Sequence, residues 1–117
     1  MGFQLHTRET AGVVIVEAVG KLTLTDGHTQ LRDLMHVFTG DGSKKFVLNL
    51  ARVELIDSYG IGELARSYSV ARRAGGDIKL ATVSRRVLEA LELSRLTTVF
   101  QVYSSESVAI ESFVRRP

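Results

Sequence analysis

Apolar and polar positions along this chain switch repeatedly between a period of two and a period near 3.6, which is the pattern of an α/β domain. Phe3, Leu5 and Thr7 alternate with polar neighbours and predict a half-exposed strand. Val13 to Val19 is β-branched and almost wholly apolar, so it predicts a more deeply buried strand, with Gly12 marking a hairpin turn between the two. Asp26 is placed to cap a first helix whose inward stripe is Leu31, Leu34, Met35 and Phe38, and Gly40-Asp41-Gly42 supplies the turn that ends it. Phe46-Val47-Leu48-Asn49-Leu50 predicts a central strand. Ile61, Leu64, Ala65 and Tyr68 then fall at i, i+3, i+4 and i+7 on one face of a second helix, which Gly75-Gly76 stops. Ile78 to Val83 predicts the next strand, Ser84 caps a short helix with Val87, Leu88 and Leu91 inward, and Thr98 to Tyr103 predicts a last strand. Ser104 or Ser105 caps a closing helix that buries Ala109 and Phe113. Strands joined through helices at this spacing pair in parallel by right-handed crossovers, so the expectation is a mixed, mostly parallel sheet of about five strands packed with about four helices.

Composition narrows the picture. The chain has 117 residues, 44% of them hydrophobic, enough to bury one core and too apolar for a disordered tail. No linker, repeat or low-complexity tract divides it, and the expected unit is a single domain over residues 1–117. The longest apolar run, Val13 to Val16, is too short to insert into a membrane. Gln4, His6, Arg8 and Glu9 interrupt any secretory signal at the N-terminus. With no cysteine, disulfides and thiolate metal sites are excluded, and a cytoplasmic location is expected. Fifteen basic and thirteen acidic residues leave a formal charge of +2. The basic residues form scattered pairs (Lys44-Lys45, Arg72-Arg73, Arg85-Arg86, Arg115-Arg116) without interleaved aromatics, which argues against direct nucleic-acid binding.

The chemically informative stretch is Val47 to Gly62, where a buried strand runs into Asp57-Ser58-Tyr59-Gly60 and a helix stripe begins at Ile61. Asp57 is a candidate N-cap whose carboxylate accepts from the free amides near Tyr59 and Gly60. Ser58 then occupies the first turn with its hydroxyl at the surface. Gly60 and Gly62 carry no side chain, so a neighbouring surface can approach the helix start. By itself, Asp-Ser-x-Gly is ordinary capping chemistry.

The ordered set of elements resembles the STAS domains, the anti-sigma factor antagonist family. The resemblance rests on Gly20-Lys21-Leu22 before the first helix, the Phe-Val-Leu-Asn-Leu strand, the Ile-Asp-Ser-x-Gly-Ile-Gly turn and Gly75-Gly76. It extends through Ile78-Lys79-Leu80-Ala81 and the Leu88…Leu91…Leu96…Val99-Phe100 stretch, covering about Phe3 to Phe113. It implies a protein-binding switch in which the serine after the aspartate, here Ser58, is phosphorylated by an anti-sigma factor serine kinase. The unphosphorylated antagonist binds that kinase and frees the sigma factor. The partner surface expected here comprises Asp57, Ser58, Tyr59, Gly60, Ile61, Thr23, Leu24 and Arg66, in a groove between the Ser58 helix and the next one. Two positions depart from the family pattern: Thr23 stands where switches often carry an acid, and Arg95 stands where a glycine is common.

Other readings are weaker. Ser58 lacks the Gly-x-Ser-x-Gly elbow of a nucleophile. His6, His28 and His36 are not spaced as metal ligands, because residues 28 and 36 lie about 80° apart around an ideal helix. Gly60-x-Gly62 is too short for a dinucleotide fingerprint, so neither catalysis nor a cofactor is expected. The alternative is an unphosphorylated scaffold subunit of a stress-sensing assembly or a lipid transporter, which would use the same surface constitutively. Self-association into a homodimer is compatible with the sequence.

Overall fold

The computed structural model describes residues 2–25, 27 and 29–114. Asp26, the expected cap of the first helix, and His28 lie outside the described residues. Five strands form one sheet in the order β1 (Gln4–Thr10), β2 (Val13–Leu22), β3 (Lys45–Ile56), β4 (Asp77–Ala81) and β5 (Val102–Tyr103). Only the β1–β2 pair is antiparallel. Its two-residue turn places Ala11 and Gly12 both at positive φ, the geometry that matches the twist of a hairpin. The remaining neighbours are parallel and are joined through α1 (Gln30–Gly40), α2 (Ser58–Arg73) and α3 (Arg85–Leu93), while α4 (Glu106–Val114) follows β5.

Because consecutive parallel strands are adjacent, right-handed crossovers put α1, α2 and α3 on the same face of the sheet. Val14 and Val16 of β2, Phe46, Leu48 and Leu50 of β3, and Ile78 and Leu80 of β4 point to that face. They pack with Leu31 and Met35 of α1, Leu64 and Ala71 of α2, and Val87 and Leu91 of α3. The alternate positions Val13, Ile15, Val47 and Ala81 meet Ala109 of α4 on the other face. There Lys79 lies buried beneath α4, with its ammonium 2.8 Å from the Ser112 hydroxyl and 4.1 Å from the centre of the Phe113 ring. The start of α4 is held by Glu106, which accepts from Arg8 of β1 and Asn49 of β3. The Arg8 guanidinium, joined by the Asn49 amide against partial burial, keeps the Glu106 carboxyl below its ordinary pKa.

Several helix ends follow the sequence reading. Ser84 accepts from the Val87 amide and Ser105 from the Val108 amide. At the end of α2, Gly75 adopts a φ of +87°, and the Gly76 and Gly75 amides return to the Ala71 and Arg72 carbonyls in a Schellman closure. The expected strand Thr98–Tyr103 is mostly not a strand. Leu96–Thr98 forms a 3-10 turn, closed by the Thr98 hydroxyl on the Arg95 carbonyl at 2.7 Å, and pairing is confined to Val102–Tyr103. Phe100 is drawn into the core, its ring 5.1 Å from that of Tyr68, and this burial overrides the β-branched propensity of the segment. None of the helices over the described residues is long and apolar enough to cross a membrane.

Arg95 opens that turn at φ +64°, the left-handed region in which a β-carbon is strained. Replacing Arg95 with glycine relieves the strain at some cost in unfolded-state entropy. It is expected to stabilise the fold by several tenths to about 1 kcal/mol, read as a raised urea midpoint at unchanged slope.

Candidate partner-binding site

β3 runs past the end of β4, and its last residues pair with the end of β2, Lys21 with Leu55 and Leu22 with Ile56. Asp57 follows directly, extended in backbone, and caps α2. Its Oδ1 accepts from the Gly60 amide at 2.9 Å and its Oδ2 from the Leu24 amide at 3.1 Å. The carboxylate thus fixes the helix start and the loop after β2 together. Burial alone would raise its pKa, but the amides of Gly60, Leu24 and Tyr59 outweigh that and hold it below the ordinary value.

Ser58 is the first residue of α2 and is exposed. Its chain neighbour Tyr59, Leu24, whose amide is bound by Asp57, and Leu55 near the end of β3 are 51%, 47% and 40% exposed, large apolar side chains left in solvent. Leu55 was not singled out by the sequence, which predicts the strand only over Phe46 to Leu50, while β3 runs on to Ile56. Ile61 is half-buried against the core.

The other expected contact residues are placed differently. Thr23 is only 8% exposed, because the chain turns inward after Leu22 and sets the Thr23 hydroxyl 3.3 Å from that of Thr25. Gly60 is buried as well. A β-carbon there would stand 2.1 Å from the Leu22 carbonyl oxygen, so the surface that approaches the helix start at Gly60 is the chain's own β2. Arg66 lies on the α1 side of α2, beside Arg32 and His36, rather than in a groove between α2 and α3.

Behind Arg66 is a group that the sequence reading missed. The fully buried positions of α2 are Gly60, Glu63, Leu64, Ser67 and Ala71, so its buried stripe is turned from the apolar one and includes an acid. Glu63 is 0% exposed. Its Oε2 accepts from the Arg32 amide at 2.9 Å, supplying the first turn of α1 with the acceptor that Thr29 does not provide. Only the i, i+3, i+4 spacing of Gly60, Glu63 and Leu64 hints at this in the sequence. Among the described residues no cluster of three acids or histidines is arranged to hold a metal ion.

The STAS domain model matches residues 4–109. The chain belongs to the STAS domain family. A curated relative, the anti-sigma F factor antagonist of Paenibacillus polymyxa, is 26% identical over 115 residues, 94% of each chain. The crystal structure of an anti-sigma factor antagonist from Mycobacterium paratuberculosis superposes with a TM-score of 0.85 at 18% identity, over 97% of this chain and 96% of that one. The antagonist SpoIIAA is similar in two states. Its unphosphorylated form matches with a TM-score of 0.71 at 19% identity over 98% of this chain and all of that one. The phosphorylated Bacillus form matches at 0.72 and 23%, over 97% of this chain and all of that one. At these identities the solved structures show a shared fold.

Two substitutions test the rim. Asp57→Ala is expected to cost about 0.5–2 kcal/mol at neutral pH. Since folding lowers the Asp57 pKa, its stabilisation is present above the unfolded carboxylate value and is lost as pH falls through the folded one. The gap between wild type and variant in urea denaturation should therefore close in acid. Gly60→Ala forces a β-carbon into the Leu22 carbonyl, and a loss of about 3 kcal/mol or more is expected in the same assay.

Proposed function

We propose that this STAS domain is an anti-sigma factor antagonist whose rim around Ser58 binds an anti-sigma factor serine kinase, and that phosphorylation of Ser58 ends the binding. The observation that carries the reading is exposed Ser58 on the first turn of α2, between Asp57 and exposed Tyr59, with exposed Leu24 tied to Asp57 through its amide and exposed Leu55 just upstream on β3. Three exposed apolar side chains give a partner something to bury, and the serine among them gives a kinase something to modify.

The electrostatics suit a switch. A phosphate adds about −1.5 to −2 charges at pH 7. At Ser58 it would stand next to a carboxylate that has already taken the Gly60 and Leu24 amides. The start of α2 tolerates an anion, so the fold would survive, but the added charge would face whatever packs on the rim. The partner surface would then desolvate two neighbouring negative groups, and affinity would fall while the core stays untouched. The likeness of this fold to SpoIIAA in both of its states supports a change of that local kind. Leu24, Leu55, Ser58 and Tyr59 are the proposed contacts, Ile61 lies beneath them, and Asp57 and Gly60 hold the rim in shape.

The test is incubation of the protein with its cognate kinase and ATP, followed by mapping of the product by mass spectrometry and binding measurements on variants. Ser58 should carry the phosphate. Ser58→Ala should bind without being modified, and Ser58→Asp should bind at least about tenfold more weakly than wild type. Phosphate at another residue, or full affinity in Ser58→Asp, would refute the switch.

A further inference from the structure

A second surface lies along the outer seam of α1 and α2. It is an open trough of about 280 Å³ lined by Arg32, His36, Arg66, Ser69, Val70 and Arg73. The basic side chains come in two rows. Arg32 and His36 are one turn apart on α1, and Arg66 and Arg73 are two turns apart on α2, a span of about 10 Å. The acid among them is Glu63, wholly buried at the floor, where its Oε1 lies 3.6 Å from Arg66 and 4.0 Å from Arg32 without a hydrogen bond, while Asp33, exposed on α1, adjoins Arg32 and His36 at the margin. Glu63 braces two guanidinium groups from beneath and presents no surface of its own. Among the described residues Arg73 and His36 make no ion pair.

We propose that this trough binds an acidic segment of a partner protein, with carboxylates pairing to Arg66 and Arg73 on one side and to Arg32 and His36 on the other. The spacing decides the class of ligand. A single phosphate could reach one or two of these groups, whereas charges spread over two helical turns match an extended or helical run of acidic side chains. Nucleic acid fits less well, since no aromatic side chain lines the trough for a base to stack on. A lipid surface fits less well because Val70, half-buried, is the only apolar residue in it. The surface is separate from the Ser58 rim and does not depend on phosphorylation.

The experiment is a titration of the isotopically labelled full chain with an oligo-glutamate peptide at low ionic strength, followed by amide shifts. Saturable shifts confined to the amides of residues 32–36 and 66–73 are expected. Because Arg66 also faces Glu63, the decisive variants are Arg73→Glu and His36→Glu, each of which should weaken binding about fivefold with an unchanged melting temperature. Lys21→Glu with Arg86→Glu, exposed positions elsewhere, should leave the affinity as it was. Shifts scattered over the whole basic surface, or full affinity in Arg73→Glu, would overturn the proposal. So would displacement of the peptide by equimolar inorganic phosphate, or tighter binding of an RNA oligonucleotide to the same amides.

Discussion

The contact between the Leu22 carbonyl and the bare α-carbon of Gly60 is the constraint on which the working end of the molecule depends. It lets α2 begin directly against the end of β2, with no side chain between them. The Asp57 amide also lies 3.4 Å from that carbonyl. β2, β3 and α2 therefore converge at one point. The long β3 is needed to reach it, and the bulges in the β2–β3 register take up the twist along the way. Everything exposed on the rim, including the Ser58 hydroxyl, takes its position from this junction.

The two faces of the sheet are held by different means. The three-helix face is an apolar core that admits Glu63 and Ser67 of α2, and the charge of Glu63 is tolerable because it satisfies an otherwise open amide of α1 and has two arginines nearby. The α4 face is thinner and more polar, and it relies on Lys79 beneath the aromatic rings and on the Arg8–Glu106–Asn49 connection. The contacts that hold α4 thus lie on the opposite face of the sheet from the core that carries α2.

The sheet and its helix connections were legible because each strand is a short β-branched run and each helix keeps its apolar spacing. Asp57 was legible as a cap for the same reason: its acceptor and donor lie three residues apart. What escaped was non-local. The tie from Asp57 to Leu24 crosses 33 positions, and no local pattern announces it. Glu63 and Ser67 were passed over because a polar residue does not count toward an apolar stripe, and this turned the predicted face of α2. Thr98 to Phe100 read as strand because their propensity is extended, while the burial of Phe100 decided otherwise. Leu55 was not singled out, because the sequence predicts the strand only over Phe46 to Leu50, whereas β3 extends to Ile56 and leaves it 40% exposed.

The pair of bonds made by Asp57 has a consequence for which side chains can stand there. Oδ1 serves the Gly60 amide of the helix and Oδ2 the Leu24 amide of the loop, so the two oxygens reach different elements. Asparagine offers a single acceptor, and its amide nitrogen would meet an N–H head-on. Serine or threonine, adequate caps elsewhere, could serve the helix or the loop and would leave the other unserved. Glutamate would carry the charge too far from Gly60. Position 57 thus selects for a short, symmetric, doubly accepting group, and among the natural side chains aspartate alone meets that description.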